Sequence, residues 1–243
     1  CLVLADQLKL NKYDFTFACT PLEGDMRSYI KERGFDVITL ASPRQAVKPQ
    51  YDADYVAWLQ KSVTQDANDF VEAVDFADLV VTDHYAIAEQ WQSLVKKAMG
   101  CRLLAIDDLA RGHHADVILD QTLGRTEVDY SGRTSVVLVG SEYAMLQPAF
   151  ANKRELALSR SLSSNHPKVL ISMGGVDAPN ATLKVLESLV PQVNAKFTVL
   201  LSPRAPHYEE VSQWCVSHPH VTHLDFVSDM ASLMLEHDVA IGA

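Results

Sequence analysis

The sequence of 243 residues has few cysteines, no long apolar run and no excess of basic residues. Its four cysteines are far apart and form neither a C-x-x-C pair nor a Cys/His cluster at zinc spacing. No apolar run reaches the roughly 18–20 residues that a membrane span needs, and no signal peptide is visible. These absences favour a reduced, cytoplasmic compartment and no membrane partner.

The balance of charge is acidic. Lys and Arg number 21 and Asp and Glu 31, so the formal net charge is −10. A chain without a basic excess is a poor general binder of nucleic acid or of anionic membranes, because it releases few counterions. We therefore expect neither partner, whereas a local basic pocket for one phosphorylated small molecule is compatible with the composition. With 48% hydrophobic and 21% charged residues, the chain is an ordinary globular protein.

Short apolar runs alternate with helical stretches along the chain. Strands are predicted at 15–20, 37–40, 79–82, 103–106, 117–119, 136–139, 169–172, 197–201, 221–224 and 239–241, and helices at 26–33, 51–73, 91–99 and 182–189. This alternation is typical of parallel βαβ units. The stretch 152–167 resembles a helix and a linker, so we place an N-terminal domain at 1–152 and a C-terminal domain at 165–243. The predicted fold class is α/β, with two Rossmann-like domains and a ligand cleft between them.

The strongest local pattern is S-M-G-G-V-D-A-P-N at 172–180, between a strand and a helix. Two glycines let the backbone approach a ligand closely, and the helix offers its N-terminal amides to a phosphate. Asn180 or Thr182 is the expected cap of that helix. The pattern is neither a Walker A loop nor a G-x-G-x-x-G fingerprint, so a plain βα turn is the alternative.

Further candidates follow the other predicted strands, since ligands of parallel sheets bind beyond the carboxyl ends of the strands. Side by side, His84 and Tyr85 would bind a sugar or relay a proton; alternatively, Asp83 is a helix cap and His84 an interior residue. The acidic pair at 107–108 would cap a helix, bind a metal or bind a ribose. No G-x-S-x-G elbow and no Cys-His pair supports acyl transfer.

Several segments, in the same order, resemble the UDP-sugar hydrolases of pseudaminic acid biosynthesis. They are FACTPLEG at 17–24, DHYAI at 83–87, IDDLA at 106–110, DQTLG at 120–124, GSEYAML at 140–146 and ISMGGVD at 171–177. Those enzymes release UDP and the free sugar from UDP-2,4-diacetamido-2,4,6-trideoxy-β-L-altropyranose. Their two-domain fold is similar to the glycosyltransferase B fold. The resemblance implies an inverting hydrolysis without metal or cofactor and a place in flagellin glycosylation.

The resemblance also implies the site residues. In the C-terminal half, UDP would contact Met173, Gly174, Gly175, Asp177 and Asn180, with Phe226 and Met230 near the uracil. On the sugar side, Tyr85 and His84 would be catalytic, and Glu23, Gly24, Asp83 and Arg154 would contact substrate. Thr122 and Val176 stand where the family pattern has Asn and Thr, which are mild departures.

Both ends of the sequence lie within predicted elements, because 1–10 follows a helical period and 239–243 resembles a strand entering a glycine turn. We interpret the chain as truncated at both ends, with a short natural protein as the alternative. The family's catalytic histidine lies in a G-x-G-H-x-x-R segment that would precede Cys1, and a later glycine-rich stretch would follow Ala243. We therefore expect little hydrolase activity from this chain alone.

Two other classes of function remain open. A glycosyltransferase of similar fold would pass the sugar to an acceptor, and an acceptor groove would favour it. A non-catalytic UDP-sugar-binding module would bind UDP without turnover. The sequence specifies neither the protein partners nor the oligomeric state nor the stereoisomer of the sugar.

Overall fold

The computed structural model describes residues 1–45, 47–51, 53–130, 136–161 and 166–242. The chain divides into two compact units, Cys1–Leu146 and Gln147–Ala243. Parallel strands alternate with helices in each unit, so the predicted α/β class is confirmed. Within the described ranges, no helix combines the length and the hydropathy that a membrane crossing requires.

The described residues of the first unit form two parallel sheets. Its helices are α1 (Leu2–Leu10), α2 (Arg27–Glu32), α3 (Tyr55–Trp58), α4 (Val63–Ala73) and α5 (Glu89–Met99), and its strands are β1 (Thr16–Cys19), β2 (Asp36–Thr39), β3 (Leu79–Thr82), β4 (Arg102–Ile106), β5 (Val117–Asp120) and β6 (Val136–Val139). Strands β1 and β2 pair with each other, and β3, β4, β5 and β6 pair in that order. The carboxyl ends of β3 to β6 therefore share one edge, where ligands of such sheets bind.

The core of the four-stranded sheet comes from alternating strand positions and one face of α5. Leu103, Ala105 and Ile118 are fully buried, and Trp91 and Val95 of α5 pack against them. Complete burial of a large apolar side chain contributes about 1.5–3 kcal/mol. Helix α5 ends as predicted at Gly100, whose φ of +68° is a left-handed conformation that glycine adopts without a Cβ clash.

The prediction of one helix over 51–73 is wrong, because the chain forms α3 and α4 with a break between them. Gln60 in the break has a φ of +60°, which interrupts the helical backbone. The Ser62 hydroxyl accepts a hydrogen bond from the Gln65 amide at 3.1 Å and caps α4. The one-turn helix α3 is thereby set apart from α4.

The described residues of the second unit form one parallel sheet, whose strand order changes direction while its strands stay parallel. Its helices are α6 (Pro148–Ser159), α7 (Ala181–Leu189), α8 (Tyr208–Val216) and α9 (Met230–Leu235), and its strands are β7 (Lys168–Ser172), β8 (Lys196–Leu200), β9 (Val221–Leu224) and β10 (Val239–Gly242). The strand order is β10-β7-β8-β9. The chain runs outward from β7 to β9 and returns to β10 on the other side of β7. The strand order therefore reverses at β7, and such switch points are where open α/β sheets bind ligands.

Helix α6 groups with the second unit, whereas the sequence interpretation puts the domain boundary between 152 and 165. The ammonium group of Lys153 lies 2.5 Å from the carboxylate of Asp229, at the start of α9. Arg160, directly after α6, forms an ion pair with Asp238, which precedes β10. These pairs attach the middle and the C-terminal end of the helix to the second unit.

Candidate functional site

The loop after β3 carries Asp83, His84 and Tyr85 at the carboxyl edge of the sheet. Asp83 is exposed, and the other two residues are half-buried. Nδ1 of His84 accepts a hydrogen bond from the Ala86 amide at 3.0 Å, so this nitrogen holds a lone pair. Burial lowers the pKa of His84 and favours the neutral ring. The histidine therefore presents Nε2–H as a hydrogen-bond donor.

Tyr85 is surrounded by aromatic and charged side chains. Its hydroxyl donates to the Asp108 carboxylate at 2.8 Å, which raises the pKa of Tyr85 to about 12. Its ring stacks on Tyr55 with a centroid distance of 4.7 Å and meets Trp58 edge-on at 5.8 Å. The Arg111 guanidinium lies 5.7 Å from the ring centroid. The phenol is thus protonated at neutral pH and acts as a donor.

Arg111 connects the Tyr85 loop to a buried carboxylate. Asp107 accepts hydrogen bonds from Nε of Arg111 at 2.7 Å and from its backbone amide at 2.8 Å. Nη1 of Arg111 donates to the carbonyl oxygens of Tyr85 and Ile87. Burial alone would raise the pKa of Asp107, but the hydrogen bonds it accepts, from His113 first, hold the pKa well below its usual range. The ion pair therefore fixes the backbone that presents Tyr85.

Tyr130 joins two carboxylates under the edge of the sheet. Its hydroxyl lies 2.8 Å from Asp107 and 2.9 Å from Asp120, and both carboxylates are completely buried. Asp120 also accepts from the Thr122 amide at 2.9 Å and from Arg125 Nε at 2.5 Å. Burial is the main cause that raises the pKa of Tyr130, and its hydrogen bonds to Asp107 and Asp120 raise it further. In the part of the chain that the structure describes, no group of His, Cys, Asp or Glu side chains forms a metal site.

The loop after β1 carries Glu23 and Gly24. Gly24 has a φ of +74°, which a residue with a Cβ rarely adopts. Asp25 closes the turn, because its carboxylate accepts from the Leu22 amide at 3.0 Å and from the Arg27 amide at 2.9 Å. Glu23 is exposed in this turn. Its contact with a substrate stays a prediction.

The glycine-rich loop follows β7, at the switch point of the second sheet. Gly174, Asp177 and Asn180 have φ values of +82°, +42° and +52°, so the backbone reverses tightly. The two carboxylate oxygens of Asp177 accept from the amides of Ala181 and Thr182, each at 2.8 Å. Asn180 occupies the N-cap position of α7, as predicted, but its side chain makes no capping hydrogen bond, and the carboxylate of the buried Asp177 takes that role.

This cap decides where an anion can bind. Asp177 satisfies the first amides of α7 and adds a negative charge there. Burial alone would raise its pKa, but the hydrogen bonds from Thr182 outweigh burial and lower it. A Cβ placed on Gly174 or Gly175 would meet no heavy atom of the described residues within 4 Å. The open surface therefore lies over Met173 and the glycines, before the cap.

Basic and amide side chains surround the same loop. Nδ2 of Asn180 donates to Glu210 at 3.0 Å, while its buried Oδ1 has no hydrogen-bond partner among the residues that the structure describes. Lys184 donates to a carbonyl of the loop at 2.8 Å, and Nε2 of His207 lies 3.3 Å from another. Of these groups, the Lys184 ammonium carries a positive charge that can meet a negatively charged ligand, whereas Oδ1 of Asn180 can only accept a hydrogen bond.

The loop after β9 carries Phe226, whose ring is 79% exposed and free to stack on a planar ligand group. Met230 begins α9 and is half-buried. The side chain of α6 that reaches this loop is Lys153, which bonds to Asp229, whereas Arg154 is exposed. The sequence shows the two basic residues side by side but does not indicate which of them contacts α9.

Comparisons with known proteins support the resemblance. No family model matches the chain. The chain is 26% identical, over 99% of its length and 76% of the relative's, to a UDP-2,4-diacetamido-2,4,6-trideoxy-beta-L-altropyranose hydrolase of Campylobacter jejuni. It is 23% identical to an uncharacterised protein of Methanocaldococcus jannaschii, over 99% of this chain and 47% of that protein. It is 29% identical to the spore coat polysaccharide biosynthesis protein SpsG of Bacillus subtilis, over 54% of this chain and 39% of SpsG.

A solved structure shares the fold. The crystal structure of MurG from Acinetobacter baumannii matches 99% of this chain and 67% of its own, with a TM-score of 0.57 and 16% identity. The predicted likeness to the glycosyltransferase B fold is thereby confirmed. With this fold and with a match along almost its whole length, the chain is a relative of the UDP-2,4-diacetamido-2,4,6-trideoxy-beta-L-altropyranose hydrolase of Campylobacter jejuni.

Proposed function

We propose that this protein hydrolyses a UDP-linked 2,4-diacetamido-2,4,6-trideoxy sugar to UDP and the free sugar, in pseudaminic acid biosynthesis. The observation that carries the proposal is the match along 99% of the chain to a hydrolase named for such a substrate. Two features of the structure support it. Tyr85 lies at the carboxyl edge of the first unit, and an open glycine-rich loop lies at the switch point of the second.

In the proposed reaction, a water oxygen attacks the anomeric carbon from the face opposite UDP. The bond from that carbon to the β-phosphate oxygen breaks, UDP leaves with the electron pair, and the anomeric configuration inverts. The single proton of Tyr85 is donated to Asp108, so the Tyr85 hydroxyl oxygen would accept a hydrogen bond from water or sugar. Nδ1 of His84 is engaged, so Nε2–H of His84 would donate to water or sugar. The attacking water gives its proton to a general base, and the resemblance implies that this base is the histidine of the family's G-x-G-H-x-x-R segment.

The glycine-rich loop would stabilise the leaving group. Negative charge grows on the β-phosphate as the bond breaks, and the amides of Gly174 and Gly175 would donate to it. Lys184 adds a positive charge beside the loop. No step of this reaction passes through a metal or a cofactor. Phe226 would stack on the uracil.

We further propose that this protein is cytoplasmic, that it acts before flagellin glycosylation, and that it binds neither nucleic acid nor membranes. The four cysteines are free thiols, as a reducing compartment would keep them. Burial raises the pKa of Cys215 to about 11, so this thiol is unreactive at neutral pH.

The test is UDP release from the UDP-diacetamido sugar by the full-length protein, with the Tyr85→Phe variant beside it. We expect turnover that Tyr85→Phe slows by about 10- to 1000-fold, whereas the exposed Tyr13→Phe leaves the rate unchanged. UDP release that requires an added acceptor would instead identify a transferase. Binding of UDP without any turnover would identify a binding module.

A further inference from the structure

An aromatic wall, formed by the rings of Tyr55, Trp58 and Tyr85, borders the candidate site. Tyr55 and Trp58 are the first and last residues of α3, and their rings meet edge to face at 5.0 Å and 85°. Both rings also contact Tyr85, at centroid distances of 4.7 and 5.8 Å. The reaction proposed above gives Tyr55 and Trp58 no role.

The wall is open to solvent although α3 itself is anchored. Trp58 is 39% exposed, whereas its neighbours Ala57 and Leu59 are 5% and 6% exposed. Tryptophan is on average a highly buried residue, so an exposed indole beside polar groups indicates a surface that another molecule covers. Its continuity with Tyr85 points to the substrate of the candidate site.

Hydrogen bonds on the C-terminal side of α3 hold the wall in place. The side chain of Gln60 accepts from the Val47 amide at 2.7 Å and donates to the Val47 carbonyl at 2.6 Å. The ammonium group of Lys61 donates to the Ala41 carbonyl at 2.8 Å and pairs with the buried Asp69 at 2.8 Å. The preceding loop and α3 are thus fixed together, and a preformed surface loses little entropy when a ligand binds.

The wall joins apolar ring faces to a polar end. Asp108 accepts from the Tyr85 hydroxyl, and the Arg111 guanidinium lies against the Tyr85 ring. A 2,4-diacetamido-6-deoxy sugar has the matching chemistry, because its acetyl and C6 methyl groups are apolar while its amides need hydrogen-bond partners. A sugar with hydroxyl groups at C4 and C6 lacks most of that apolar surface.

We infer that Tyr55 and Trp58 determine the sugar specificity of the site, by packing against the methyl groups of the acetamido, 6-deoxy sugar. This inference rests on the proposed function and adds the residues that select the sugar. Removal of the indole should weaken binding of the sugar without changing binding of UDP, which the proposed function assigns to the loop after β7.

The experiment compares Trp58→Ala, Tyr55→Ala and Trp58→Phe with the full-length wild type. Val56→Ala is the matched control, since Val56 is on the same helix and is 55% exposed. We expect Trp58→Ala to raise KM for the UDP-diacetamido sugar about tenfold or more, with partial recovery in Trp58→Phe. In the variants of Tyr55 and Trp58, inhibition by free UDP should stay at the wild-type value, and circular dichroism should show an intact fold. The control Val56→Ala should turn over the substrate at the wild-type rate.

An unchanged KM in both alanine variants of a turning-over enzyme would overturn the inference and leave the proposed function standing. If the wild type does not turn over the substrate, the proposed function fails, and equilibrium binding of the free diacetamido sugar decides the inference. Loss of affinity in Trp58→Ala would then support the aromatic wall. Equal affinity in both proteins, or no binding by the wild type, would overturn it.

Discussion

Nε of Arg111 lies 2.7 Å from the buried carboxylate of Asp107, and Nη1 of the same guanidinium donates to the backbone carbonyl of Tyr85. An ion pair under the sheet edge thus positions a loop at that edge. Loss of one member of a buried pair leaves the other charge without compensation, which is more costly than loss of an exposed pair.

Replacement of Arg111 by Met should destabilise the first unit strongly. We expect the free energy of unfolding in urea to fall by about 3 kcal/mol, because the completely buried Asp107 would lose its cation. The matched control is Arg102→Met, since the Arg102 side chain is 79% exposed and pairs with Asp116 at the surface. That variant should lose under about 1 kcal/mol. Equal losses in the two variants would contradict the role given to the buried pair.

The contribution of Asp116 to the free energy of unfolding should be lost as the pH falls from about 4 to about 2. Burial alone would raise its pKa, but hydrogen bonds from Lys96 and the Leu103 amide lower it to about 2. The pKa is lower in the folded than in the unfolded chain, where it is about 3.9, so the stabilisation exists above that value. It is lost as the pH falls toward 2. Urea unfolding at several pH values should show a shallower pH dependence for Asp116→Asn, and parallel curves would contradict this.

Removal of the negative charge at Asp177 distinguishes a cap from a ligand contact. Asp177→Asn keeps an oxygen for one amide of α7 and should lower the free energy of unfolding by about 1 kcal/mol or less. Because the carboxylate repels a bound phosphate, we expect UDP to bind the variant at least as tightly as the wild type by calorimetry. Weaker binding of UDP by a folded variant would show that Asp177 contacts the nucleotide directly.

The two glycines of the loop should respond differently to alanine. Gly174 has a φ of +82°, so Gly174→Ala adds backbone strain of about 1 kcal/mol and lowers stability. Gly175 is not in this strained region, so Gly175→Ala should keep the wild-type melting temperature. Its added methyl group would occupy the space proposed for the diphosphate and should raise the Kd of UDP about tenfold or more. An unchanged Kd in Gly175→Ala would place the diphosphate elsewhere.

The strands could be predicted because they are short apolar runs, most of which are followed within two residues by a polar residue or a glycine. The run before Gly174 and the helix that ends at Gly100 are examples in which local pattern and fold agree. The break at Gln60 could not be predicted, since glutamine rarely adopts a positive φ and only packing imposes it.

The candidate site could likewise be predicted only in part. The sequence predicts that Tyr85 lies at the end of a strand, but it does not show that Tyr55 and Trp58 contact Tyr85, because that contact depends on how α3 packs. Arg111 lies four residues after Asp107, a spacing that suggests a pair, yet its contact with the Tyr85 carbonyl is not visible locally. Several residues of the glycine-rich loop have side chains that cap helices, and only the structure shows that Asp177 does so.

The most direct measurement of the proposed hydrolysis is turnover of the UDP-diacetamido sugar by the full-length protein in water enriched in ¹⁸O. Direct attack on the anomeric carbon predicts the label in the free sugar and none in UDP. Proton NMR at early times should show the anomer opposite to that of the substrate. Label in the β-phosphate of UDP, retention of the anomeric configuration, or release of UDP only with an added acceptor would contradict the proposed reaction.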